Sequence, residues 1–343
     1  GNPISVGVLL KLLAQNNKCL EKVVLSNVPS WNVKTLSTLL SGVLKIYKET
    51  GCSLKHLVLD NNAWFGYAGS LVMAEFLKAN PKLQILSLAD CNLQNRKKGT
   101  NTVAMLLNAL THNSNLTTLR LSHNRISFDQ TSLESLKSTH ITSLDLSENR
   151  LLTNFKSESL DAKLFQELLA PQMVDLNLGY TRLSDKVQTL FAIMAQKKTN
   201  LERLNLCANN LRNQDLKSAN LAIAASPALK YLNLDQNIID PYQIVEGISK
   251  SKSLEELSIK RCSFAHSNST KVVSLRFLSG LYNVDFSMPK VDEEGKSVEV
   301  GQPLGRVKII SLKTLHITER LVTHQQHIRS IIKANKIDRK SVV

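Results

Sequence analysis

The sequence predicts an α/β solenoid, a stack of repeating units with a concave parallel β-sheet of about eleven strands and convex α-helices. Three observations predict it. An eleven-residue pattern, L-x-x-L-x-L-x-x-N-x-L, occurs as Leu116-Thr-Thr-Leu119-Arg-Leu121-Ser-His-Asn124-Arg-Ile126, as Ile141-Thr-Ser-Leu144-Asp-Leu146-Ser-Glu-Asn149-Arg-Leu151 and as Leu201-Glu-Arg-Leu204-Asn-Leu206-Cys-Ala-Asn209-Asn-Leu211. Looser copies recur along the whole chain. The segments between copies carry apolar residues at helical spacing.

Within the pattern, x-L-x-L-x alternates with the period of a short strand that has one buried face and one wet face. The Asn just past the strand can bond backbone groups of its own coil and the next one, which would otherwise go unpaired. A single copy cannot bury its leucines, so the copies must stack.

Residues 4 to 15 read as a helix that starts the stack. The first copy begins at Leu20 and is degenerate, with Val23, Leu25 and Val28 and its Asn displaced to Asn27. Asn32 to Tyr47 is a second helix with one apolar face. Later copies begin at Leu54, Leu83, Leu116, Ile141, Met173, Leu201, Leu229, Leu254, Leu281 and Leu312, an average step of about 29 residues that leaves room for a helix in each. Ala68–Ala79, Thr102–His112, Leu160–Leu169, Asp185–Lys197, Gln214–Ala225 and Pro241–Lys250 fill those gaps, with Ser184 and Asp240 placed as caps and Pro241 at a first helical position. Residues 287–308 interrupt the rhythm and read as an exposed loop or small hairpin, with Asp292, Glu293 and Glu294 before Gly295 at its turn. Glu319 to Ala334 reads as a final helix. The domain division is therefore a capping helix at 1–19, a repeat stack at 20–322 and a capping helix with a basic tail at 323–343.

A 28-to-29-residue repeat with Asn or Cys at the turn and a full helix resembles the ribonuclease-inhibitor class of leucine-rich repeat proteins, over about residues 20 to 322. The resemblance implies a horseshoe that recognises other proteins. Three features depart from the family pattern: Met173-Val-Asp-Leu176-Asn-Leu178-Gly-Tyr-Thr181 has Thr for Asn, repeat starts lie 25 to 34 residues apart, and the copy at Leu281 ends in Pro289. This irregularity, with many Lys and Asn, is similar to the leucine-rich repeat effectors that intracellular bacterial pathogens deliver into host cells. It implies a host protein or another effector as partner and the host cytosol as location.

Composition narrows the class. The 343 residues are 43% hydrophobic, ample for a core, and no apolar run approaches the length of a membrane span. The opening Gly1-Asn-Pro-Ile lacks the layout of a signal peptide. Five cysteines without paired spacings do not describe a disulfide framework. Cys91 and Cys262 stand at the Asn position and read as buried structural thiols, which favours a reducing, cytoplasmic setting over the glycosylation-type triplets Asn115-Leu-Thr117 and Asn268-Ser-Thr270.

No catalytic residues, metal ligands or cofactor are expected. The chain has no phosphate-binding glycine loop, no Gly-x-Ser-x-Gly, no His-Glu-x-x-His and no Cys-x-x-Cys. His324-Gln-Gln-His327 reads as a solvated helix face, and Cys207 as a small side chain in the sheet. The net charge of +15 raises an alternative, a basic solenoid that binds nucleic acid or an anionic membrane surface through its convex or terminal Lys/Arg clusters. Only 5% of residues are aromatic, however, and the outward positions of the repeats hold nine acids against five bases, so a nucleic acid in the concavity is disfavoured.

The function expected is a monomeric, non-enzymatic scaffold that binds a protein partner through its concave face. The expected site comprises Arg120, Asp145, Asp175, Tyr180, Arg203, Tyr231 and Asp235, with Tyr180 and Tyr231 within about 10 Å laterally as aromatic anchors. An alternative rim site is Trp31, Phe65 and Tyr67, provided that Trp31 and Phe65 are exposed; Trp64 falls on an apolar repeat position and is read as core.

Overall fold

The computed structural model describes residues 5–16, 20–50, 54–79, 82–93, 101–151, 158–239, 244–259 and 262. It also gives the backbone of the short strands Asn283–Val284, Lys290–Val291, Ser297–Val298, Val307–Lys308 and Thr314–His316. The chain forms two compact units, Gly1–Thr181 and Arg182–Val343.

The first unit alternates helices and three-residue strands: α1 (Val6–Gln15), β1 (Lys22–Val24), α2 (Val33–Thr50), β2 (His56–Val58), α3 (Gly66–Ala79), β3 (Ile85–Ser87), α4 (Thr102–Leu110), β4 (Thr118–Arg120), α5 (Gln130–Lys137), β5 (Ser143–Asp145), α6 (Glu158–Leu168) and β6 (Asp175–Asn177). Neighbouring strands pair in parallel with no slip, so that Lys22, His56, Ile85, Thr118, Ser143 and Asp175 share one row. A parallel pair needs a crossover between its strands, and each helix supplies one. Leu57, Leu86, Leu119, Leu144 and Leu176, the middle residues of β2 to β6, are buried between sheet and helices, where Phe65, Phe76, Phe128 and Phe165 fill the remaining volume. On α1 only Leu13 is fully buried, and Val8 and Leu12 remain exposed.

The second unit repeats the plan: a 3-10 turn (Ser184–Lys186), α7 (Val187–Gln196), β7 (Arg203–Asn205), α8 (Asn213–Ala225), β8 (Tyr231–Asn233), α9 (Val245–Lys250) and β9 (Glu256–Ser258). β7, β8 and β9 pair in parallel. α8 and α9 approach closely at Gly247, where a Cβ would stand 2.6 Å from the Asn220 Cα; the Gly247 N–H instead donates to Asn220 Oδ1 at 3.0 Å.

The turn after most of the strands is held by an Asn. In the first unit Asn124 Oδ1 accepts from the backbone nitrogens of Cys91 (2.8 Å) and Leu93 (3.2 Å), while its Nδ2 donates to the carbonyls of Leu88 (2.7 Å) and Leu121 (3.0 Å). Asn237 does the same in the second unit for Asn209, Leu211, Leu206 and Leu234. An amide that both accepts and donates twice suits this position because the groups it meets are buried, and leaving them unmet would be costly. Cys91 and Cys262 keep only the donor function, Sγ to the carbonyls of Leu59 (3.1 Å) and Leu234 (3.4 Å), and Thr181 Oγ1 donates to the Leu178 carbonyl at 2.7 Å. Burial pushes the Cys91 thiol up to about 12 and the Cys262 thiol up to about 11.

The residue before that Asn adopts the left-handed conformation in successive copies: Asn27, Asn61, Asp90, His123, Glu148 and Tyr180 in the first unit, Ala208 and Gln236 in the second, all with φ between 50° and 59°. Asn27 thus does not replace the ladder Asn. It fills the left-handed site, which a short amide tolerates, and Asn62 Oδ1 accepts from the Val28 nitrogen at 2.9 Å.

Some elements differ from the sequence expectation. Ser184 opens the 3-10 turn rather than capping a helix, and α7 begins at Val187 after Lys186, whose side chain makes no cap bond. α9 begins at Val245, and Asp240 and Pro241 lie outside the described residues. α5 is a helix that the apolar pattern did not disclose: it is short and rich in Ser and Thr, and Asp129 with Ser132 forms its capping box. The copy at Leu281 does not extend the parallel sheet. Its Asn283–Val284 pairs antiparallel with Val307–Lys308, and β9 pairs directly with Thr314–His316. Within the stretch read as a loop or hairpin, Lys290–Val291 and Ser297–Val298 pair antiparallel. The final helix, the basic tail, His324 and His327 lie outside the described residues.

Candidate protein-interaction faces

Alternation in each three-residue strand buries the middle residue and turns its two neighbours away from the core. In the first unit this gives one row of Lys22, His56, Ile85, Thr118, Ser143 and Asp175, and a second of Val24, Val58, Ser87, Arg120, Asp145 and Asn177, in which Ser87 is buried and donates to Asp60. The expected residues Arg120 and Asp145 are direct cross-strand neighbours. Arg120 is exposed, while Asp145 is half-buried because its Oδ1 accepts from the Ser147 nitrogen (2.9 Å) and hydroxyl (2.7 Å). Asp175 is also half-buried, and its Oδ2 accepts from Ser143 Oγ at 3.4 Å. These acids therefore have defined orientations. Tyr180 lies past β6 in the left-handed turn and is 46% exposed.

In the second unit Arg203, Tyr231 and Glu256 share a row. The Arg203 guanidinium stacks over the Tyr231 ring, 4.3 Å from its centroid, a cation–π arrangement that fixes both side chains. Burial raises the Tyr231 hydroxyl pKa, and the Glu256 and Asp235 carboxylates raise it further, against the opposing charge of Arg203. Asp235 Oδ1 accepts from Ser258 Oγ at 2.7 Å. Asn205 and Asn233, in the second row, each accept from the backbone nitrogen two residues on, at 2.9 and 2.8 Å. Cys207 is buried, and Gln236 Nε2 donates to its sulfur at 3.6 Å.

The rim alternative fails on its own condition. Trp31 is 5% exposed and Phe65 is fully buried, because both fill the core where the chain turns from strand to helix. Tyr67 alone of the three is exposed. Trp64 is half-buried, its Nε1 donating to the Val28 carbonyl at 3.0 Å and its ring 6.2 Å from that of Phe65.

Sequence reasoning passed over Val24, Val58 and Ile85. All three occupy outward positions, and Val24 is 54% exposed. The signal was available: Lys22-Val-Val-Leu25, His56-Leu-Val-Leu59 and Ile85-Leu86 run apolar where Thr118-Leu-Arg-Leu121 and Ser143-Leu-Asp-Leu146 alternate. Among the described residues no group of three or more His, Cys, Asp or Glu is placed to hold a metal ion, and no helix is long and apolar enough to cross a membrane.

Residues 115–137 match the Leucine Rich Repeat family. Two mouse proteins are similar in sequence: NACHT, LRR and PYD domains-containing protein 5, 32% identical over 192 residues that make up 54% of this chain and 16% of that protein, and protein 4C of the same name, 27% identical over 208 residues, 55% and 21% respectively. The chain thus spans about a fifth or less of the length of these relatives. Among solved structures, that of the Rad7 and Elc1 complex in yeast is similar in fold at 17% identity and a TM-score of 0.52, covering 98% of this chain and 83% of that one. The chain therefore contains leucine-rich repeat sequence in an α/β repeat stack, and its similar curated relatives are repeat-bearing NACHT, LRR and PYD domain proteins.

Proposed function

We propose that the chain is a non-enzymatic scaffold whose outward strand rows bind a protein partner. The observation that carries this reading is the Arg203–Tyr231 stack, flanked by Glu256 and Asp235: a large ring, held in one conformation, at the centre of a polar sheet face. A ring already fixed loses little side-chain entropy on binding. In the first unit Arg120, Asp145 and Asp175 supply charges on a rigid sheet, with Tyr180 beside them in sequence order. Carboxylates so arranged favour basic groups on the partner and speed encounter.

Support also comes from the relatives, whose names combine leucine-rich repeats with NACHT and PYD domains, and from a structural neighbour solved as a complex of Rad7 with Elc1. The murine relatives favour a regulatory repeat region over a bacterial effector. A ribonuclease-inhibitor-like geometry, a monomeric state, a cytoplasmic location and a capping role for α1 belong to the same reading.

Capture from cytosolic extract on wild-type chain and on the Asp145→Lys/Asp175→Lys/Tyr231→Ala variant tests it. The reading expects proteins retained by the wild type and lost from the variant. Equal retention by both, or retention of nucleic acid or anionic lipid instead of protein, contradicts it.

A further inference from the structure

The outward face of β1 to β3 differs in kind from the rest of the first unit's sheet. Strands covered on both faces read as continuous apolar runs, whereas strands with one wet face alternate. β4, β5 and β6 alternate, with Thr118 and Arg120, Ser143 and Asp145, and Asp175 and Asn177 outward. β1 to β3 instead put Val24, Val58 and Ile85 outward. The register places Val24 beside Val58, and His56 between Lys22 and Ile85. Among the described residues, Val24 is one of the few large apolar side chains left exposed.

The strand positions of this end carry bases, while its acids Asp60 and Asp90 lie in the turns after β2 and β3, Asp90 against His123 at 3.0 Å. The outward strand positions of β1 to β4 hold the bases Lys22 and Arg120, with His56 beside Lys22, and no acid. The nearby Asp60 carboxylate is already occupied, its Oδ1 accepting from Ser87 Oγ (2.6 Å) and the Ala89 nitrogen (2.9 Å), and Glu21 is paired with Lys55. Toward β5 and β6 the sign reverses at Asp145 and Asp175.

We propose that Lys22, Val24, His56, Val58 and Ile85 form a subsite for a protein segment bearing a large apolar side chain next to a carboxylate. The apolar side chain covers Val24, Val58 and Ile85, and the carboxylate meets Lys22. The proposal rests on the scaffold reading and adds a direction to it: the partner segment is apolar and acidic over β1 to β3, and basic over β5 and β6. At about 4.8 Å per strand, β2 and β6 stand roughly 19 Å apart, the length of about thirteen helical residues, so one short helix reaches both ends.

The test pans a display library of random sixteen-residue peptides against the wild-type chain, then measures selected peptides on Val24→Asp, Lys22→Glu and, as a control on the exposed side of α8, Leu221→Glu. Val24 and Lys22 are exposed, so both variants are expected to fold; unchanged thermal melting checks this. Enriched peptides should pair Leu, Ile or Phe with Asp or Glu, weaken at least tenfold on Val24→Asp, and remain unchanged on Leu221→Glu. Panning against Lys22→Glu should move the preference toward Lys or Arg. No enrichment, or selected peptides that bind both variants as tightly as wild type, overturns the subsite. Wild-type self-association abolished by Val24→Asp overturns it too, assigning the face to a second copy of the chain. A partner captured from extract that is lost with Asp145→Lys and Tyr231→Ala but kept by Val24→Asp refutes the subsite and leaves the scaffold reading standing. Capture indifferent to every one of these changes refutes both.

Discussion

The backbone nitrogen of Asn124 donates to Asn149 Oδ1 at 3.0 Å, which ties the turn of one repeat to the turn of the next. The same oxygen accepts from the Ile126 nitrogen at 3.1 Å, and Asn149 Nδ2 donates to the carbonyls of Leu121 and Leu146, both at 2.9 Å. Removing this amide strands three buried backbone groups at once, the nitrogens of Asn124 and Ile126 and the Leu146 carbonyl, and leaves the Leu121 carbonyl with Asn124 Nδ2. Asn149→Ala is expected to cost at least about 2–4 kcal/mol, since each unmet buried group costs roughly 1–3 and relaxation recovers part. Asn149→Cys, which keeps a donor as Cys91 does, should cost less. Urea unfolding checks both, and equal losses for the two would remove the ladder from the account.

Leu204 is fully buried at the middle of β7. Leu204→Ala should lower stability by about 2–5 kcal/mol, the range for deleting buried methyl groups. A change near zero in thermal or urea unfolding would mean that the strand leucines do not form the core.

Ala208 sits at φ 53°, where a Cβ is strained, and Ala222 lies buried inside α8. Glycine substitutions should therefore act with opposite sign. Ala208→Gly should raise stability by up to about 1 kcal/mol, because glycine alone enters the left-handed region freely. Ala222→Gly should lower it by at least about 0.5–1 kcal/mol, through helix propensity and lost packing. Equal signs would place Ala208 in an ordinary conformation.

The buried thiols give a pH dependence. An unfolded cysteine ionises near its ordinary value of 9.0, whereas folded Cys91 and Cys262 hold their protons to about 12 and about 11 because burial disfavours the thiolate. Their contribution is fully present below about pH 9 and is lost as pH rises toward 11 to 12, where the unfolded state has shed protons that the folded state retains. Urea midpoints at pH 8 and pH 10 should fall for the wild type more than for Cys91→Ser/Cys262→Ser. At pH 8 both thiols should resist alkylation until the chain unfolds. Prompt native-state labelling would contradict their burial.

Most of the fold was legible because stacking forces the leucine spacing, and every copy from Leu54 to Leu254 begins two residues before a strand. α5 was hidden because its stability comes from a cap and two leucines, Leu133 and Leu136, rather than from a long apolar stripe. The copy at Leu281 misled for the opposite reason: its local spacing resembles a rung, yet pairing is decided by which strands meet, and β9 meets Thr314–His316. Among site residues, strand alternation correctly turned Arg120 and Arg203 outward, since it depends on backbone geometry alone. It did not disclose that Asp145, Asp175 and Asp235 are held by Ser147, Ser143 and Ser258, because such contacts lie between side chains. Trp31 and Phe65 were ambiguous because a turn carries no period to tell an inward aromatic from an outward one.

The outward strand rows are proposed to bind a protein. The most direct measurement is the association and dissociation kinetics of a captured partner with wild type, Tyr231→Ala, Asp145→Lys/Asp175→Lys and, as a control on the helix side, Leu221→Glu, at low and high salt. Tyr231→Ala should weaken affinity by more than about 1 kcal/mol. Asp145→Lys/Asp175→Lys should slow association most at low salt, and Leu221→Glu should change nothing. Loss of binding with Leu221→Glu, while the strand-face variants bind as wild type, would put the partner on the helices and contradict the account.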